Sequence, residues 1–340
     1  MFDIWDASEG VRGNKQSNKS VPNKIYVDCV LWKNKRNLVL IAGIVIVLIV
    51  VGLYVETFKT PDTYFLLRTE YGVCIHIYQF DPLVTIQLIK QLNATWVRID
   101  WIPNKMDSFV RIMKENGIKI LAILDHNTMN DNFTRFEWQI AVQEIMGTEA
   151  AKEVDAWEIW NEPNANQFFS GYMDGSPQHY FEMLEDAYQI IMASCPNATV
   201  IAAGLSPDPI FGSWTDWIGN FSSLSPQSFF DFQGVHIYSD VETNINIISE
   251  VKEIVKKNVW ITEVGEPSGP IERGFSPEDQ SLFLESNFQM LSDMKIPIFW
   301  YQLKDEDYPF DSKENYFGLF DAQDNPKPAS EVFNEFASKP

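Results

Sequence analysis

From residue 70 onward, apolar positions fall into two alternating rhythms. Short runs rich in Ile, Val, Trp and Tyr predict strands at Tyr71–Ile77, Trp96–Trp101, Lys119–Asp125, Trp157–Trp160, Thr199–Gly204, Gly234–Tyr238, Val259–Glu263 and Ile298–Leu303. Between them lie stretches with helical spacing, such as Leu83, Ile86, Ile89 and Leu92 within Pro82–Leu92. Further helices are predicted at Ser108–Asn116, Arg135–Met146, Pro177–Ala193, Ile245–Lys256, Pro277–Met294 and Pro328–Phe336. Gly212–Leu224 holds at most one short helix, the thinnest prediction of the set. Eight strands alternating with helices predict an α/β fold, a (β/α)₈ TIM barrel over residues 70–340. The alternative, an open doubly wound sheet, wants a glycine-rich phosphate loop after its first strand, and Cys74–Phe80 has none.

The N-terminal pattern is different. Residues 1–36 are polar and predict a flexible tail. Leu38–Val55 carries no charge and no proline, and as a helix it spans roughly 27 Å, close to the thickness of a bilayer's hydrocarbon core. A transmembrane segment is therefore expected at 37–56, with residues 57–69 as a linker. A cleaved signal peptide is the competing reading. It usually has a shorter apolar region nearer the N-terminus, followed by a small-residue cleavage site. Lys33, Lys35 and Arg36 sit directly before the segment, and this basic flank predicts a single-pass signal anchor, a cytoplasmic N-terminus and an extracellular barrel.

Composition narrows the partners. With 45% hydrophobic and 14% aromatic residues, the chain can bury one large core. A formal net charge of −21 argues against nucleic acid, which needs clustered Lys and Arg. Cys29, Cys74 and Cys195 have no metal-ligand spacing, and Cys74 is expected as a buried free thiol.

The predicted strands end in unusually polar residues. They supply His76, Arg98 with Asp100, Asp125 with His126, Asn161 with Glu162, His236 with Tyr238, Glu263, and finally Trp300 with Gln302. In a parallel barrel the C-terminal strand ends form the active face. Two strands that each end in a glutamate suit acid/base and nucleophilic work at a glycosidic bond. Each residue also has a plainer reading: Glu162 as a solvated turn residue, Arg98 as a core ion-pair partner, His76 and His236 as satisfied core histidines, His126 as a loop-orienting residue, Trp300 as barrel packing. Glu158 and Glu266 are rival carboxylates, the first expected as a paired core residue and the second in a loop. No H-x-H or H-x-x-x-H spacing supports a metal, and no cofactor is expected.

The motifs resemble those of the barrel clan of retaining glycoside hydrolases that includes families 5 and 39. Trp160-Asn-Glu-Pro-Asn164 is similar to the clan's fourth-strand acid/base motif, Ile261-Thr-Glu-Val-Gly265 to its seventh-strand nucleophile motif, and His236-Ile-Tyr238 to the sixth-strand His-x-Tyr of family 5. The run from Phe317 to Ala329, F-G-L-F-D-A-Q-D-N-P-K-P-A, resembles segments that follow the eighth strand in clan members. The resemblance covers roughly residues 70–337 and implies acid/base Glu162 and nucleophile Glu263. It further implies a substrate site of Arg98, His126, Asn161, His236, Tyr238 and Trp300, with the Trp300 ring as the floor for a sugar. The implied partner is a carbohydrate, a β-glucan, mannan or related β-glycoside. Two other functions fit the same motifs: a transglycosidase that remodels glycans, and an idle carbohydrate-binding barrel, against which the retained carboxylate pair argues. Asn93, Asn132, Asn197 and Asn220 head N-x-Ser/Thr sequons that an exported domain could use.

The anchor reading makes a direct prediction. Protease added to intact cells should remove the barrel and leave a small protected N-terminal fragment; release of an intact barrel with a new N-terminus near residue 56 would instead indicate cleavage.

Overall fold

The computed structural model describes residues 68–76, 81–129, 131–206, 213–270, 275–306 and 312–339. The tail, the apolar run Leu38–Val55 and most of the linker lie outside the described residues. Among the described residues no helix is long and apolar enough to cross a membrane.

Eight parallel strands pair in chain order and close on themselves: β1 (Glu70–Ile75), β2 (Trp96–Asp100), β3 (Lys119–Leu124), β4 (Ala156–Ile159), β5 (Thr199–Leu205), β6 (Phe232–Ile237), β7 (Val259–Val264) and β8 (Pro297–Trp300). β1 bonds to both β2 and β8, so the barrel has no free edge. Helices connect the strands, and their starts are written in the sequence. Asp81 caps Pro82–Gln91, Thr134 and Glu137 form a reciprocal capping box at Arg135–Met146, and Ser176 and Ser276 cap helices whose first residue is proline. The thin fifth prediction is a real helix, Trp214–Ser223, capped by Ser213. The helix predicted from Ile245 starts earlier, at Val241, because the Asp240 side chain accepts from Thr243 N. β6 likewise starts two residues before the predicted Gly234, at Phe232, whose ring joins the barrel interior.

The strands separate two cores. Outward side chains such as Val73, Val97, Ile120, Trp157, Val200, Ile261 and Trp300 join the large core shared with the helices. Inward residues Cys74, Trp96, Leu121, Ala156, Ile201, Phe232, Trp260 and Phe299 form a separate plug. Trp96 meets Trp260 edge-on with ring centroids 5.4 Å apart. Above this dry plug the inward positions turn polar, with Arg98 two residues after Trp96 and Glu158 two after Ala156.

Strict alternation fails at two places. Trp160 follows Glu158 by two and should point inward, but its backbone takes φ +72°. Its ring packs outside, against Phe133 and Trp138 at 5.9 and 6.2 Å. Residues of this kind store about 1–3 kcal/mol of backbone strain each, and Glu162 at φ +43° is a second one. On β7 the pairing register shifts between Ile261 and Val264 with β8, and on β6 between Val235 and His236. The shift lets Trp260 and Glu263, an odd number of residues apart, both face inward.

Tyr180 braces the barrel next to the β4 break. It is fully buried, its hydroxyl donates to Ile159 O at 3.0 Å, and it accepts from Ala203 N at 2.6 Å. Tyr180→Phe would leave both backbone groups buried and unpaired. The expected cost is about 1–3 kcal/mol of unfolding free energy in a denaturant titration. Phe136→Ser, at an exposed position, should cost no more than about 0.5 kcal/mol.

Candidate active site

A cavity of about 860 Å³ opens above the plug at the C-terminal ends of the strands. Its wall includes Arg98, His126, Asn161, Glu162, Tyr238 and Glu263, six of the eight residues named from sequence.

Arg98 organises the centre. From β2 it crosses the barrel, and its side chain is 3% exposed. Nε donates to Glu158 at 2.6 Å, Nη1 to Glu263 at 2.6 Å and Nη2 to the Asn161 amide oxygen at 2.9 Å. Glu158 is therefore a paired core residue, as the sequence suggested; its other oxygen accepts from Gly204 N at 2.9 Å. Glu263 also accepts from the Tyr238 hydroxyl. His236 is fully buried and presents Nδ1 to Glu162 at 2.9 Å and to Glu263 at 3.5 Å. A Cβ at Gly204 would lie 2.1 Å from His236 Nε2, so only glycine lets the imidazole sit there. Asn164 fixes the strand-four turn from behind, donating to Ser206 O at 2.6 Å and accepting from Ser206 N at 3.0 Å.

These neighbours push the two glutamates apart. Burial raises the Glu162 carboxyl, and the His236 contact only partly offsets it, so Glu162 ends above its ordinary range. Burial pushes Glu263 up as well, but His236, Arg98 and the Tyr238 hydrogen bond outweigh it and leave Glu263 below its ordinary range. One carboxyl is disposed to hold a proton and the other to be ionised, a division that suits acid and nucleophile. Burial lowers His236, but the two carboxylates, Glu263 first, outweigh this and raise it.

Ligand atoms of Glu162, His236 and Glu263 all lie within 4.8 Å of one another, a spacing that a cation could use. The guanidinium of Arg98 already occupies the positive role beside Glu263.

Two sequence assignments need correction. Trp300 does not floor the cavity. It has the parity of Ile298 and faces the helices, with Nε1 bonded to Phe317 O at 3.0 Å and its ring beside Phe283 and Phe288. The inward neighbour Tyr301 lines the cavity instead, edge-on to Tyr238, Phe317 and His76. Nor does His236 line the cavity: it lies beneath the carboxylates and reaches a ligand only through them. His126 does reach the wall, Nδ1 3.2 Å from Asp125 and its ring 5.6 Å from Phe168.

The sequence does not mark Phe168 as a site residue, and it offers Asp100 only as a polar strand end without a role. Phe168 sits on a short 3₁₀ turn, Asn166–Phe168, that a strand-end search does not reach. Asp100 shares the inward parity of Arg98; it lies 3.2 Å from His76 Nδ1, and together they make a second polar wall.

A family model described as "Glycosyl hydrolase catalytic core" matches residues 75–332. No curated protein matches the chain. Solved structures share the fold. A family 39 glycoside hydrolase from Bacteroides cellulosilyticus WH2 is 22% identical with a TM-score of 0.62, over 79% of this chain and 63% of that one. A Bacteroides uniformis β-glucuronidase covalently bound to a cyclophellitol-6-carboxylate aziridine is 14% identical with a TM-score of 0.61, over 80% and 35%. An endo-β-1,3-glucanase of family 128 from Amycolatopsis mediterranei, in complex with laminaritriose, is 14% identical with a TM-score of 0.53, over 78% and 99%. The chain thus spans less than two thirds of the family 39 protein's length.

The electrostatics of Glu263 can be tested without turnover. Tyr238→Phe removes a donor that favours the ionised carboxylate, so the Glu263 carboxyl should titrate at higher pH by carbon-13 NMR. An unchanged or lower midpoint would contradict the role given to this hydrogen bond.

Proposed function

The chain belongs to the glycosyl hydrolase catalytic core family, and on that premise we propose that it hydrolyses β-O-glycosidic bonds with retention of configuration. Glu162 acts as acid/base and Glu263 as nucleophile. The observation that carries the reading is the pair itself: oxygens of the two carboxyls lie within 4.8 Å, with opposite displacements of their titration. That separation supports direct attack by Glu263 on the anomeric carbon, since inversion needs about 6.5–9.5 Å to admit a water. In the first step Glu162 protonates the leaving oxygen as Glu263 bonds to the anomeric carbon. In the second, Glu162 takes a proton from water, whose oxygen displaces Glu263 and regenerates the carboxylate. Asn161, held by Arg98, is placed to meet a sugar hydroxyl, and Tyr301 and Phe317 offer ring surface elsewhere on the cavity wall.

The preferred glycoside is neutral. Among the described residues the cavity wall carries Asp100, Asp125, Glu162, Glu263, Glu266, Glu306 and Glu314, against Arg98, Lys313 and two histidines. Arg98 is committed to Glu158, Glu263 and Asn161. A uronic acid's carboxylate would enter a field already negative. The barrel is displayed outside the cell by Leu38–Val55, a proposal that rests on the charge-free run and its basic flank; the protease experiment tests it.

The soluble barrel, residues 60–340, is assayed on aryl β-glycosides. Glu263→Ala should lose on the order of 10⁴-fold or more in turnover. Glu162→Ala should lose about 10²–10⁴-fold on unactivated glycosides and far less in the first step with an activated leaving group. Azide should restore Glu162→Ala and give a β-glycosyl azide, whereas in Glu263→Ala it should give the α-product. Exchanged stereochemistry would reverse the two roles, and full activity in both variants would end the reading. An aryl β-glucuronide should react at least about tenfold more slowly than the corresponding neutral glycoside.

A further inference from the structure

The run Phe317–Ala329 contains a lysine that the chemistry above does not use. Lys327 immediately precedes the last helix, Pro328–Ala337, and is only 9% exposed. Its ammonium has three donors and meets three acceptors: Ser268 Oγ at 2.7 Å, Asp305 Oδ1 at 2.5 Å and Tyr316 O at 3.2 Å. Ser268 lies in the segment after β7, whereas Asp305 and Tyr316 lie in the segment after β8. One buried cation therefore ties together two loops that, among the described residues, no strand pairing joins.

The surrounding bonds converge on the same point. Tyr316 O also accepts from Ser268 N at 2.9 Å and from Ser268 Oγ at 3.0 Å. Asp305 Oδ1 accepts from Gly318 N at 2.8 Å as well as from Lys327. A Cβ at Gly318 would lie 2.1 Å from Asp305 N, so two stretches of the segment after β8 meet backbone to backbone. Gln280 reaches in from the helix Pro277–Leu291 and donates to Glu266 O at 2.9 Å. The opposite surface of these loops is cavity wall: Glu266 and Pro267 after β7, and Glu306, Glu314 and Phe317 after β8. Lys327 itself does not line the cavity.

We propose that Lys327, with Asp305 as its counter-charge, is a positioning residue that sets the β7–β8 wall of the cavity from behind and so governs how tightly an extended glycan is held. A lysine suits this place because one ammonium can satisfy acceptors from two loops at once, which an apolar side chain cannot. Asp305 keeps the buried charge paired. The last helix anchors the stem independently through Ala329, Phe333 and Phe336, all in the large core. Removing the ammonium should therefore loosen the wall while the carboxylate pair, seated on β4 and β7 by Arg98 and His236, stays in place.

The inference rests on the glycosidase reading for its kinetic test but not for its structural one. In Lys327→Met, amide hydrogen exchange should quicken at least about tenfold in residues 265–270 and 312–318, and stay unchanged in β2–β5. KM for an oligosaccharide should rise about tenfold or more, while kcat on a small activated aryl glycoside stays within about threefold and its pH profile does not move. The double variant Lys327→Met with Asp305→Asn removes both charges, so it avoids a stranded carboxylate and should show the same exchange and KM changes. Unchanged exchange in those two segments in either folded variant overturns the proposal. So does an equal fall in kcat on both substrates, or loss of folding in both variants, which would make the pair a global stabiliser. If the unmodified protein turns over no glycoside, the functional reading fails, and the exchange experiment still decides the role of Lys327.

Discussion

The structure depends on one buried guanidinium shared by several acceptors. Arg98 stands on the apolar plug and joins β2 to β4 through Glu158, to β7 through Glu263 and to the strand-four turn through Asn161. A cation at this depth is tolerable only because carboxylates surround it, and of these Glu263 is in turn held below its ordinary range in part by Arg98. Burial lowers the Arg98 guanidinium, but Glu158 and Glu263 overcome this and keep it well above its ordinary range. The mutual dependence explains why Glu158, which touches no cavity, is an ionisable residue in a barrel interior. It shares the charge of Arg98 and, through Gly204 N, fixes the part of β5 on which His236 rests.

The same fixed charge separates the two cavity carboxyls. Glu263 faces Arg98 directly and receives the Tyr238 hydrogen bond. Among the described residues Glu162 receives no guanidinium hydrogen bond, and its side chain meets the His236 imidazole instead. Burial acts on both, so the difference arises from which donors each can reach. The plug below, built around Trp96, Trp260 and Phe299, keeps the barrel interior beneath them dry and strengthens every one of these interactions.

Around this rigid centre the cavity wall is made of loops tied from outside the barrel. Asn164 joins the turns after β4 and β5, and Lys327 joins those after β7 and β8. The arrangement suits a division of work in which strand-end residues hold the proposed reacting groups and the loops shape what enters.

The sequence by itself determined the barrel and singled out the two strand-end glutamates proposed as the chemical pair. Helical spacing and short runs rich in Ile, Val, Trp and Tyr marked the elements because each strand buries one face against helices and the other against the plug, and each helix buries one stripe. Glu162 and Glu263 were legible because strand ends in this architecture converge on one face whatever the exact register. What only the tertiary structure decided was the direction of single side chains. Alternation alone would turn Trp160 inward with Glu158 and set Glu263 opposite Trp260; a left-handed residue in the first case and a register shift in the second place them otherwise. Trp300 looked like the sugar platform, yet the phase of β8 sends it to the helices and puts Tyr301 on the cavity wall. Lys327 stood in the sequence only as one letter of the run Phe317–Ala329, with no role attached. Its burial among Ser268, Asp305 and Tyr316 arises from chain segments up to 59 residues apart, and no local pattern records such contacts.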